Sequence, residues 1–181
     1  MAERGVSETG SVADLVGALR SGEAGAFDRL YRRFAPVVFG ILLGYVARAD
    51  AEDLAQEVFA TVHARLPALR DDAAFPGWIV AITRRAALAS RRRVDEGLPV
   101  PDAPGATHDD PADRVDAQRA LDAIRRLPPA YRETLMLRLV QGLDGPQIAA
   151  LTGLTPGSVR VNLHRGMARL RELLAEPDPK P

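Results

Sequence analysis

Residues 94–113, VDEGLPVPDAPGATHDDPAD, divide this chain, and the division limits every fold it can adopt. The stretch holds four prolines, two glycines and six acidic residues, with no Lys or Arg. Proline at that density stops a helix interior and removes donors from a strand ladder. The like charges repel one another, so the segment reads as an extended acidic linker, residues 94–114. On both sides of it, apolar residues recur at three-four spacing, the period of a helix with one buried face. No convincing strand alternation occurs. The expected fold is all-α: two small helical domains joined by a flexible linker.

The first domain is expected over residues 11–93, after a disordered N-terminus at 1–10. Val12 to Arg20 can form a short helix. From Phe27 to Val46 the apolar positions Phe27, Leu30, Tyr31, Phe34, Val38, Ile41, Leu42 and Tyr45 fall near helical spacing. Pro36 should kink or divide that stretch. A third helix is expected from near Ala51, with Asp50 as its N-cap, to just before Pro67. A fourth should run from Ala74 or Pro76 to Arg93. The second domain, residues 115–176, should hold helices near 115–127, 129–141, 145–152 and 156–174, followed by a tail at 177–181. Aromatic residues are only 5% of a chain that is 46% hydrophobic, so Ala, Leu and Val must build the cores, which favours helices.

The end of the second domain is the most specific stretch. Gly145-Pro146 opens a short helix with Ile148, Ala149 and Leu151. Gly153 is a natural left-handed stop, and Leu154 can plug the core. Thr155 then caps a second helix with Pro156 at its first position, where proline is favoured. Helix, glycine turn and capped helix make a helix-turn-helix pattern. At about 100° per residue, Val159, Leu163, Met167, Leu170 and Leu174 share the inward face. Ser158, Val161 and Arg165 point the other way, with Arg160 and His164 on one flank and Asn162 on the other. The N-terminal half of such a helix enters a major groove. Arginine there pairs bidentately with guanine, valine can meet a thymine methyl, and asparagine can pair with adenine. Ser158 and the helix N-terminus suit phosphate, and Arg169 and Arg171 suit the DNA backbone.

Two faces in the first domain carry opposite charge. In DAEDLAQEVF (50–59), Leu54, Ala55, Val58 and Phe59 cluster inward, while Asp53, Gln56 and Glu57 point out. Asp53 and Glu57 are like charges four apart, which costs a few tenths of a kcal/mol unless a basic partner compensates. The fourth helix inverts the sign: Arg84, Arg85, Arg91, Arg92 and Arg93 occur with no acid among them. Arginine near the aromatic Phe75 and Trp78 suits phosphate contact and base stacking on melted strands, although Trp78 reads first as a core residue beside Ile79 and Ile82.

The totals exclude other classes. With no cysteine there are neither disulfides nor thiolate metal sites. His63, His108 and His164 are far apart and form no ligand motif. No phosphate loop or triad spacing occurs, so no cofactor, metal or catalytic centre is expected. The 24 basic residues, all arginine but Lys180, balance 24 acidic ones, which argues against indiscriminate binding to nucleic acid. No apolar run reaches membrane-spanning length and the first residues are polar, so a cytoplasmic protein is expected.

These residues resemble a known family. The chain is similar to bacterial RNA polymerase sigma factors of the extracytoplasmic-function group of the sigma-70 family. DAEDLAQEVF resembles that group's polymerase-binding helix. FPGWIVAITRRAALASRRR resembles the helix that recognises and melts the minus-ten promoter element. LPPAYRETLMLRLVQGLDGPQIAALTGLTPGSVRVNLHRGMARLREL resembles the domain that reads the minus-thirty-five element. The resemblance covers roughly residues 27–93 and 119–174. It implies that Asp53, Gln56 and Glu57 contact the clamp helices of the polymerase's largest subunit, that Arg84, Arg85 and Arg91–Arg93 serve the minus-ten element, and that Arg160, Val161, His164 and Arg165 face the minus-thirty-five element. It further implies promoter DNA and an anti-sigma factor as partners. The chain departs from the family at Arg85 and Ala89, where Asn and Asp are usual, at His63, often tryptophan, and at Val161-Asn162, often a hydroxyl residue followed by arginine.

The linker fits that reading. Sites about seventeen base pairs apart lie ~58 Å from one another, and twenty residues of polyproline-like chain span ~62 Å. Weak promoter binding by the isolated chain is expected, with both faces acting together once docked on polymerase. The residues alone leave two alternatives: a stand-alone helix-turn-helix regulator that binds duplex DNA as a dimer, with half-sites about 34–36 Å apart, and an interaction protein that sequesters a regulator.

Overall fold

A computed structural model describes residues 11–95 and 111–175 of the chain. The expected disordered N-terminus, residues 96–110 of the expected linker, His108 and the tail lie outside the described residues. Among the described residues there are eight α-helices and no strand. Helices α1 (Val12–Arg20), α2 (Ala26–Leu43), α3 (Arg48–Arg65) and α4 (Phe75–Asp95) form the first module. Helices α5 (Pro111–Arg125), α6 (Pro129–Leu139), α7 (Gly145–Thr152) and α8 (Pro156–Ala175) form the second.

Local chemistry sets most of these limits. Ser11 and Asp14 make a reciprocal capping box, each side chain accepting from the other's backbone N–H at 3.1 and 3.0 Å, and so start α1. Asp144 and Gln147 repeat the device at α7, both bonds at 2.8 Å. Gly153, at φ 74°, ends α7 in the left-handed region, as its position after the apolar run predicts. The third helix starts earlier than expected: Ala47 stands at its N-cap without a side-chain bond, and Asp50 lies within the first turn. There a carboxylate still suits the positive end of the helix. Pro36 neither ends nor divides α2. Its ring lies on the solvent side, where water can satisfy the Arg32 carbonyl that loses its in-helix donor. Helix α5 begins at Pro111, inside the segment read as linker, and α4 continues two residues past Arg93.

In the first module α2 packs on α3 and α4, with α1 across them. Leu30, Ile41, Val38, Val58, Phe75 and Ile79 are buried almost completely. Phe34 meets Phe75 edge-on at 5.1 Å, and Tyr31 and Phe27 close over Phe59. In the second module α6 packs along α8, with α5 and α7 at its sides. Gly166 allows the close approach: a Cβ there would lie 3.1 Å from the Leu135 Cδ1 atom.

The two modules are docked. Helix α6 lies against α2, and α7 against α4. As a result α6 is covered on nearly every side: six successive residues, Arg132 to Leu137, are buried. One continuous apolar core runs through both modules.

Candidate functional site

Helix α8 presents the second module's exposed basic face. Thr155 Oγ1 accepts the Ser158 backbone N–H at 3.1 Å, and the two hydroxyls lie 2.9 Å apart. The cap therefore also holds the Ser158 side chain. Val159 and Leu170 are buried, and Leu163, Met167 and Leu174 pack against the same core. Leu173 and Gly166 complete that face, two positions the spacing alone missed. Ser158, Arg160, Val161, His164, Arg165 and Arg169 are exposed, and Asn162 is half-buried. Arg160 and Arg165 make no ion pair among the described residues, whereas Arg169 is held by Glu172 at 2.7 Å. An open groove of about 590 Å³ lies beside this helix, between the first turns of α7 and α8, and is edged by Arg138 and Arg160. The Asp144 carboxylate lies in the same lining and already caps α7, so it partly offsets the two guanidinium groups there. Arg138 was missed in the sequence because it sits at the end of α6, outside the helix-turn-helix pattern. Only folding brings it to the groove, where it also donates to the Leu143 carbonyl at 3.1 Å.

Helix α3 carries the acidic face. Leu54, Val58, Phe59 and Val62 are buried, while Asp53, Gln56, Glu57 and Ala60 are exposed. No basic side chain among the described residues pairs with Asp53 or Glu57. The neighbouring Arg48 instead lies 3.8 Å from Glu52 and over the Phe39 ring. His63, one turn further on, meets Phe27 edge-on at 5.7 Å.

Helix α4 splits the remaining arginines. Arg85, Arg91, Arg92 and Arg93 are exposed. Arg84 is not available in the same way: its Nε and Nη2 donate to the two Glu133 carboxylate oxygens at 2.8 and 2.6 Å. That hydrogen bond holds the Arg84 guanidinium protonated more firmly than usual. Phe75 is wholly buried, and Trp78, half-buried, packs on it at 5.8 Å, as a core side chain should.

A cluster joins the modules beside this pair. Arg132 places its guanidinium 4.6 Å from the centre of the Tyr45 ring and donates to the Arg125 and Leu127 carbonyls at 2.8 Å each. Burial pulls the Arg132 guanidinium below its ordinary value. Burial also pushes the Tyr45 phenol up, and the Glu133 carboxylate adds to the effect. Nothing in the sequence near Arg132 or Glu133 announces this cluster, because its partners come from the other module.

Comparison with known proteins gives a consistent neighbourhood. Residues 30–96 match the family description "Sigma-70 region 2", and residues 117–170 match "Sigma-70, region 4". The chain is 36% identical over 163 residues to the RNA polymerase sigma factor CarQ of Myxococcus xanthus, covering 87% of this chain and 94% of that one. It is 30% identical over 183 residues to the ECF RNA polymerase sigma factor BldN of Streptomyces coelicolor, covering 94% of this chain and 68% of the relative. In fold it resembles CnrH, solved with the cytosolic domain of CnrY, at a TM-score of 0.67 and 22% identity over 90% of this chain and 96% of that one. It also resembles the sigma factor RpoE of Bartonella quintana, solved with the anti-sigma factor NepR, at 0.60 and 21% identity over 83% of this chain and 98% of that one.

Proposed function

The chain belongs to the extracytoplasmic-function group of the sigma-70 family, and from that premise we propose how its residues divide a sigma factor's work. As a sigma factor it binds core RNA polymerase, directs it to specific promoters and helps open the DNA for initiation. That separates it from a stand-alone helix-turn-helix regulator. In this reading Asp53, Gln56 and Glu57 grip the clamp helices of the polymerase's largest subunit. Arg160, Val161, Asn162, His164 and Arg165 read the minus-thirty-five element, while Ser158 and Arg169 hold its backbone. Arg84, Arg85 and Arg91–Arg93 hold the minus-ten strand as its bases unstack. Residues 11–93 and 115–176 are the two working domains. The chain contributes binding energy and no chemical step of its own, acting in the cytoplasm. An anti-sigma factor belongs to the reading too, as RpoE of Bartonella quintana has one.

One observation carries this division. Helix α3 turns Asp53, Gln56 and Glu57 to solvent and α8 turns Arg160 and Arg165 to solvent, with neither set neutralised among the described residues. Run-off transcription with core polymerase on genomic promoter fragments tests it. Asp53→Ala/Glu57→Ala should abolish polymerase binding without unfolding the chain. Arg160→Ala/Arg165→Ala should keep polymerase binding and lose promoter choice. Each bidentate contact is worth about 1–3 kcal/mol, or roughly 5- to 150-fold in promoter preference. Unchanged promoter preference in the second variant would refute the α8 assignment.

A further inference from the structure

We propose that Leu88 is the wedge with which this chain parts the minus-ten strand: an exposed apolar side chain on α4 that enters between two bases while Arg85 and Arg92 hold the phosphates on either side. The proposal rests on the reading of α4 as the minus-ten helix, and it gives that helix an opening residue.

The outward face of α4 offers few other ways of meeting a base. At about 100° per residue, Ala81, Arg85, Leu88 and Arg92 form one stripe, opposite Ile79, Thr83 and Ser90, which are buried. The aromatic rings nearby are committed to the core: Phe75 is wholly buried, and Trp78 packs on it at 5.8 Å. The neutral polar groups of α4 do not reach a base edge either. Thr83 is buried and donates to the Ile79 carbonyl at 2.8 Å, and Ser90 is buried as well. What the stripe presents is two guanidinium groups and one large apolar side chain. Arg85 and Arg92 are exposed and form no ion pair among the described residues. Leu88, 38% exposed, lies between them.

Leucine is among the side chains that proteins insert between base steps, and insertion unstacks the step it enters. The flanking cations supply what such an insertion needs, a grip on the backbone at each side of the opened step. The spacing fits as well. Arg85 and Arg92 stand ~10.5 Å apart along the helix axis, at 1.5 Å per residue. A stacked nucleotide takes up ~3.4 Å of strand, and a leucine in van der Waals contact with a base on each side opens one step to ~7 Å. One opened step beside one stacked step therefore spans ~10 Å, which matches the separation of the two arginines. A wedge selects for ease of unstacking, so it enters a flexible pyrimidine–purine step such as TA most readily. Opening by this chain then depends on how loosely the minus-ten step is stacked, and the choice of bases by hydrogen bonding falls to α8.

The full-length protein with core polymerase tests this on the genomic fragment most active in run-off transcription, with 2-aminopurine in its minus-ten strand to report unstacking. Leu88→Ala should slow the fluorescence rise roughly tenfold, the scale of the unstacking cost that one apolar side chain returns. Leu88→Met should restore it. Alanine is the better helix former and the site is partly exposed, so melting of the variant should stay close to that of its parent. On the same fragment with the minus-ten pairs mismatched, Leu88→Ala should equal its parent, because the step is already open. Replacing a TA step there by a stiff A-tract should slow the parent and leave Leu88→Ala unmoved. Opening of the intact duplex by Leu88→Ala at the parent's rate would overturn the wedge. An equal loss on the mismatched fragment would overturn it too, and mark Leu88 as a structural residue. Arg85→Ala/Arg92→Ala isolates the premise. If that pair leaves opening unchanged, α4 is not the minus-ten helix. If it slows opening while Leu88→Ala does not, the premise stands and the wedge alone falls.

Discussion

Gly44→Val puts the docking of the modules to a test that owes nothing to DNA or polymerase. Gly44 follows α2 with φ −70°, a conformation any residue adopts, so the substitution brings no backbone strain. Its cost comes from the neighbours. A Cβ alone would sit 3.0 Å from Met136 Cγ and 3.2 Å from Arg132 Cγ, both on α6 of the other module, and Met136 is wholly buried. Both side chains are buried, Arg132 at 4% exposure, and valine adds two more methyl groups at the same place. Overpacking of this kind costs about 1–3 kcal/mol. In a chain of this size each kcal/mol lowers Tm by roughly 2–4 °C. The molecule can avoid the cost by undocking, so scattering should change as well. A compact chain of 181 residues has a radius of gyration near 16 Å, and two modules with centres ~40 Å apart exceed 20 Å. Gly17→Ala is the control: nothing lies within 4 Å of that Cβ, in the middle of α1, and it should stabilise by about 0.5–1 kcal/mol. Calorimetry and small-angle scattering on the three proteins decide the matter. If Gly44→Val melted and scattered like its parent, α6 would not be seated on α2 in solution.

Further predictions concern single groups. The Tyr45 hydroxyl is buried without a hydrogen-bond partner, so Tyr45→Phe should keep the Arg132 contact and raise stability by about 1 kcal/mol, read as a Tm gain of a few degrees. Burial raises the Tyr45 pKa from 10.0, and the hydrogen bond to Glu133 raises that of Arg84. Tyr45 therefore contributes stability that is full below about pH 10 and is lost as pH rises through its raised folded value, whereas Arg84 stays protonated throughout that range; the fall should be smaller in Tyr45→Phe when unfolding is titrated with denaturant. Thr155→Ala removes the acceptor for the Ser158 N–H, which should cost about 1 kcal/mol and weaken minus-thirty-five selection in run-off assays more than it weakens polymerase binding.

The helices and the two faces were legible because they rest on near neighbours. Gly153, Thr155 and Pro156 fix the turn between α7 and α8 through backbone chemistry within four residues, and the faces of α3 and α8 follow from a 100° step. The docking was not legible, because it depends on pairs far apart in the chain: Arg84 with Glu133, and Arg125 with the Leu43 and Val46 carbonyls. Helix α6 shows the difficulty. Amphipathic periodicity marks a helix with one wet side, and a helix covered on both sides loses that signature. The charge and spacing of Arg132 and Glu133 therefore give no sign of burial, yet both are buried and meet Tyr45 and Arg84 across the seam. Arg84 read as a DNA contact for the same reason: charge and position describe what a side chain can bind, whereas the fold decides what reaches it first. Both descriptions hold if the two partners compete. A guanidinium that forks onto the Glu133 carboxylate in the docked form has the shape to fork onto a phosphate only where α6 does not cover it.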